Sequence, residues 1–144
     1  PNCSGTGGSG LNRLKEPRSE VINDFIKSGN IFWFGDQWKQ FQGRDAELPY
    51  DQHFLHALVA PRGLLVTEAY GDFWANPPGS YAACYAAKTV YDLLDFPMAI
   101  GWEFREGEHD QSRSDFEKIL DFMDFHFRGR DVARDFQRQL FPTL

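Results

Sequence analysis

The chain has 144 residues, a net charge of −6 and 16% aromatic residues, long enough to bury about 70% of its unfolded surface as one domain. Acidic and basic residues are interspersed rather than blocked, which argues against a nucleic-acid-binding face or a patch for an anionic membrane, and no apolar stretch reaches the roughly 20 residues that span a bilayer. With Cys3 and Cys84 alone, one disulfide is possible and no disulfide framework can be read.

The opening PNCSGTGGSG has neither an initiator Met nor a charged-then-apolar leader, so the chain is expected to begin inside a longer protein. Its composition alone also fits a flexible Gly/Ser linker. Residues 11–49 are irregular, with a short helix expected over 20–27. The aromatics Phe32, Trp33, Phe34, Trp38 and Phe41 follow. They are expected to form core under a long excursion, with a sugar-stacking platform as the alternative. Asp51 suits the N-cap of a helix carrying Phe54, Ala57 and Leu58 at helical spacing, and Pro61 ends it near Ala60.

Beyond that point the pattern is regular. Residues 63–67, GLLVT, read as a strand buried on both faces. A turn rich in Gly and Pro comes next, then a helix over 80–94 with Ala83, Ala87, Val90 and Leu94 along one face. Residues 98–104 read as a second strand and 105–113 as a polar loop. Ser114 with Glu117 predicts a capping box for a last helix whose Phe116, Ile119, Leu120, Met123 and Phe127 share a face, ended by Gly129. Alternating strand and helix implies an α/β fold with parallel strands and crossover helices.

In such sheets ligands bind beyond the carboxyl ends of the strands. Two loops sit there, one presenting Asp72 and Trp74, the other His109 within Gly107-Glu108-His109-Asp110. A turn has no backbone use for a Trp two residues after an Asp. A carboxylate after one strand and a histidine after the next is the acid-then-histidine order of α/β-hydrolases, whose nucleophile comes earlier in the chain. In that chemistry the imidazole takes a proton from a hydroxyl, and a buried carboxylate fixes its tautomer and stabilises the imidazolium.

Ser4-Gly5-Thr6-Gly7-Gly8, Trp33-Phe34, Leu48-Pro49-Tyr50-Asp51-Gln52-His53, Ala57-Leu58-Val59-Ala60-Pro61-Arg62, Asp72-Phe73-Trp74-Ala75-Asn76-Pro77 and Gly107-Glu108-His109-Asp110 before Asp115-Phe116 run through nearly the whole chain. In that order and spacing the sequence resembles the glucuronoyl esterases, carbohydrate esterase family fifteen, in particular their bacterial branch. The resemblance implies that the chain is the C-terminal part of an α/β-hydrolase fold. It matches His109 to the catalytic histidine, Asp72 to the acid of many bacterial members, Trp74 to a tryptophan lining the glucuronate pocket, and Glu20, across a loop longer than usual, to a substrate-contacting glutamate. Fungal members carry their acid where Cys3 stands here, which leaves the acid role to Asp72. The family's serine is expected upstream of Pro1. Ser4 and Ser9 lack the Gly-x-Ser-x-Gly setting of an exposed nucleophile.

The resemblance further implies a secreted or periplasmic hydrolase acting on glucuronic acid esters of plant cell-wall polysaccharide, like a 4-O-methyl-glucuronoyl methylesterase. Its substrate would be glucuronoxylan or a lignin–carbohydrate ester, with no cofactor or metal, and neither nucleic acid nor membrane as partner. The alternatives are an acetyl-xylan or other carbohydrate esterase of the same fold, and a non-catalytic sugar-binding module using Trp33, Trp38 and Trp74. His53 and His56 are expected to be a helix-face pair, since no third ligand has convincing spacing for a metal.

Overall fold

The apolar run after Pro61 forms β1 (Leu64–Ala69), which pairs in parallel with β2 (Ile100–Arg105), Leu64 opposite Ile100 and Ala69 opposite Arg105. The coordinates are a computed structural model and describe residues 1–142. Parallel pairing needs a crossover, and α3 (Pro77–Leu93) supplies it. It starts three residues earlier than expected because Asn76, at φ 59°, caps it with its side chain and two prolines occupy its first turn. Asn76 Nδ2 also donates to the Leu11 and Leu14 carbonyls (3.0 and 2.7 Å), which ties the long excursion to this helix.

Strand alternation divides the faces of β2. Ile100, Trp102 and Phe104 pack with Val66 against Tyr81, Cys84, Ala87 and Tyr91 of α3, and each fully buried large side chain of this kind contributes about 1.5–3 kcal/mol. The opposite face presents Gly101, Glu103 and Arg105. Gly101 admits Phe122 and Phe136, since a Cβ there would lie 2.9 Å from Phe136 Cβ.

That second face overturns the expected orientation of the last helix, α4 (Arg113–Arg128). It meets charged residues of β2, so its inward side is Asp115, Lys118 and Phe122, all buried, while Phe116, Leu120, Met123 and Phe127 are exposed. Its capping box is Ser112 with Asp115, not Ser114 with Glu117, because the Asp115 carboxylate also answers Arg105 from the strand.

The N-terminal residues run along the other edge of β1. Asn2 makes a parallel bridge to Thr67, with Cys3 N–H donating to Thr67 O (3.0 Å) and Thr67 N–H to Pro1 O (2.9 Å). Thr6 and Ser9 are fully buried, so this stretch is an ordered turn rather than a flexible linker.

Two short helices, α1 (Ile22–Ser28) and α2 (Gln52–Ala57), complete the frame. Asp51 caps α2 and also accepts from the amides of Asn12 and Arg13 (2.7 and 3.0 Å). The buried residues of α2 are Gln52 and His56, while Phe54 and Leu58 are exposed, against the expected spacing. In the excursion Ile22, Phe25, Trp38 and Leu48 make a second small core. Phe34 stacks on Trp38 at 3.9 Å, whereas Phe32 and Trp33 are 74% and 63% exposed. The aromatic set therefore divides between core and surface. Among the described residues no helix is long and apolar enough to cross a membrane.

Candidate active site

The ladder between β1 and β2 continues past both strands. Tyr70 N–H donates to Arg105 O and Gly71 N–H to Gly107 O, each at 2.9 Å. A Cβ at position 71 would come within 2.5 Å of the Gly107 oxygen, so the two loops touch only because residue 71 has none. Asp72 then caps the short turn Phe73–Ala75, its Oδ1 accepting from Ala75 N–H (3.3 Å). Its Oδ2 accepts from His109 Nδ1–H at 2.8 Å. The carboxylate is almost wholly buried and the imidazole is 71% exposed. With Nδ1 committed, Nε2 of the neutral ring is the acceptor.

The loop bearing His109 hangs on Arg105. Its Nε donates to Asp115 Oδ2 (2.7 Å), and its remaining nitrogens donate to the carbonyls of Glu106, Glu108 and Asp110 (3.2, 3.2 and 2.5 Å). Three carbonyls around His109 are thereby fastened to the first turn of α4. Burial by itself raises the Asp115 pKa, but Arg105 and Ser112 outweigh it and hold the carboxyl below its ordinary value.

Glu20, Trp74 and His109 line one cleft of about 530 Å³, with Cys3, Phe25 and Trp33 among its other walls. Glu20 N–H donates to Trp74 O (3.0 Å), joining the two residues. The Glu20 carboxyl lies over the Gly5 backbone so closely that a Cβ on Gly5, itself at φ +65°, would meet Oε2 at 1.9 Å. Burial pushes the Glu20 pKa up, against the nearby amides of Gly7 and Thr6 and the Trp74 indole. All four residues singled out from the sequence thus lie in one region.

A second polar cluster sits beside Asp72. Glu68, fully buried in β1, accepts on Oε1 from the hydroxyls of Ser9 (2.8 Å) and Ser80 (2.9 Å). Cys3 Sγ and carboxylate oxygens of Glu68 and Asp72 all lie within 4.8 Å of one another. Burial pushes the Cys3 thiol up to about 12, so it keeps its proton at neutral pH and the trio offers no ready thiolate. Ser4 Oγ meets Ser9 Oγ at 2.9 Å, and among the described residues no hydrogen bond joins either serine to His109. Of the two histidines on α2, His56 is buried with Nδ1 3.8 Å from Cys84 Sγ, and burial lowers its pKa to about 4.

The sequence reading missed Arg105 and Glu68. The signal for Glu68 was its parity with Val66, which puts a carboxylate on the face of β1 turned to α3. The signal for Arg105 was an arginine ending a buried strand four residues before the histidine.

A parallel sheet flanked by helices, with an acid and a histidine hydrogen-bonded on the loops after consecutive strands, defines the α/β-hydrolase class. The description "Glucuronyl esterase, fungi" matches residues 1–95. The carbohydrate esterase MZ0003 from an unknown prokaryotic organism is 33% identical over 143 residues, covering 89% of this chain and 32% of its own length. A 4-O-methyl-glucuronoyl methylesterase of Schizophyllum commune is 32% identical, covering 94% of the chain and 36% of its own length. Among solved structures, a family 15 glucuronoyl esterase from Caldicellulosiruptor kristjansonii superposes with a TM-score of 0.93 at 31% identity, covering 98% of this chain and 39% of its own. The chain belongs to the glucuronoyl esterases of carbohydrate esterase family 15. It spans about a third of the length of the relatives it matches.

Proposed function

We propose that this chain supplies the histidine, the acid and one wall of the uronate pocket of a serine-type esterase that cleaves glucuronic acid esters of plant cell-wall polysaccharide, secreted or periplasmic. His109 Nε2 takes the proton of a serine hydroxyl as that oxygen attacks the ester carbonyl, then returns it to the leaving alcohol. Asp72 keeps the proton on Nδ1 and stabilises the imidazolium in between. A water activated by the same imidazole then releases the uronic acid. Trp74 presents an apolar ring face to the sugar, and Glu20 accepts from its hydroxyls.

The observation that carries this reading is the 2.8 Å bond from exposed His109 to buried Asp72 at the end of two paired strands. The nucleophile in this reading comes from residues outside the segment, as do further parts of the fold. The exposed stripe of Phe116, Leu120, Met123 and Phe127 on α4 supports that, since a contiguous apolar face of this kind normally packs against something. The test is hydrolysis of a methyl ester of 4-O-methylglucuronic acid by the complete protein and its His109→Ala variant. Turnover by the parent and its loss in the variant are expected. A parent without turnover, or a variant with full turnover, contradicts the reading.

A further inference from the structure

Glu68 has no role in the mechanism above, yet it is the most deeply buried carboxyl near the pair. Ser9 and Ser80 both donate to its Oε1, and its Oε2 is buried with no hydrogen-bond partner. Asp72 and Cys3 are its neighbours within 4.8 Å. Two carboxylates this close and out of water cannot both be ionised without a large penalty, and an unpaired charged oxygen adds a further cost. A proton on Oε2 removes both costs, turning an unanswered acceptor into a donor.

We propose that Glu68 is a positioning residue for the Asp72–His109 pair: its carboxyl holds a proton on Oε2 beside Asp72 and Cys3, and loss of that proton places a second negative charge behind His109. The inference rests on the reading of His109 as the base. Burial, opposed by the two serine hydroxyls, raises the Glu68 pKa to about 7, so the proton is exchanged in the working range of an imidazole. The groups that face Glu68 are the hydroxyls of Ser9 and Ser80, the neutral thiols of Cys3 and Cys84 and the Asp72 carboxylate. Glu68 is neutral below the exchange and Asp72 alone attracts the imidazolium. Above it a second negative charge stands behind His109, and the environment of the imidazole ring changes with it.

The test uses the complete protein and its Glu68→Gln and Ser80→Ala variants. Infrared difference spectra across the exchange should show a protonated-carboxyl band in the parent that is absent from Glu68→Gln. The His109 ring resonances should show a second inflection near neutrality in the parent and a single one in Glu68→Gln. Ser80→Ala, which removes a donor to the ionised form, should move that inflection up by about one unit. This arm serves even if Glu68→Gln fails to fold. A parent with a single inflection, or a carboxyl band unchanged in Glu68→Gln, overturns the proposal. A role in packing alone would lower activity equally at every pH and give no second inflection in the His109 resonances. Neither spectroscopic readout needs ester hydrolysis, so a protein without esterase activity would refute the proposed function and still decide the role of Glu68.

Discussion

The Gly71 amide donates to the Gly107 carbonyl at 2.9 Å, where any side chain on residue 71 would stand 2.5 Å from the same oxygen. This contact sets the separation of the two loops and hence the distance from Asp72 to His109. Gly71→Ala is expected to push the loops apart and lower turnover on a glucuronate methyl ester by about 10², the usual cost of misplacing a catalytic group by about 1 Å. An unchanged kcat would show that the loops are set elsewhere.

Arg105 fastens the His109 loop to Asp115, which is fully buried. Arg105→Met should cost about 1–3 kcal/mol of stability, because the buried carboxylate loses its nearest charged partner and keeps only Ser112 and the more distant Lys118, 3.9 Å away. Adding Asp115→Asn should recover part of the loss, while turnover stays low because the carbonyls around His109 remain unheld. Denaturant unfolding of the two single variants and the double variant gives the coupling directly. Additive losses would contradict it.

Trp74 is half exposed on the wall of the cleft and joined to Glu20 through its backbone. Trp74→Ala is expected to raise KM for the uronate ester with a smaller effect on kcat, the pattern of lost uniform binding. Hydrolysis of a small activated acetate should change less. Equal losses on both substrates would assign the indole to packing.

Stability should vary with pH in two opposed ways. Burial raises Glu68 from 4.5 to about 7, so the folded state holds this proton longer than the unfolded chain. Its contribution is complete below pH 4.5 and disappears as pH rises through about 7, a loss of about 3 kcal/mol at 1.36 per unit. Burial lowers His56 from 6.5 to about 4, so its contribution is present above pH 6.5 and lost as pH falls through about 4. Glu68→Gln should flatten the loss on the neutral side and leave the acid side unchanged. The same slope in parent and variant would refute this assignment.

The sequence made both strands, the crossover helix and the Asp72 and His109 loops legible, because each strand is a short apolar run that ends in turn residues. It did not reveal which side of α4 faces inward. The stripe of Phe116, Leu120, Met123 and Phe127 has a helical period whichever way it points, and Glu103 and Arg105 on β2 decided the matter by pairing with Lys118 and Asp115. Reading strand alternation together with helix period would have caught this. Phe32 and Trp33 were unreadable for a related reason: composition gives an aromatic cluster, but short turns of this kind carry no period to say which rings face in. The Glu68–Ser9–Ser80 cluster joins three distant stretches of chain, and no local pattern announces it.

The role of His109 as a base depends most directly on its bond to Asp72. Asp72→Asn in the complete protein keeps the size of the side chain and its cap on Ala75, but its amide favours the wrong imidazole tautomer. Turnover of a glucuronate methyl ester should fall by as much as about 10⁴ while the unfolding midpoint shifts little. Parent-like turnover in a folded Asp72→Asn protein would contradict the central claim, that His109 works as a base because Asp72 holds it.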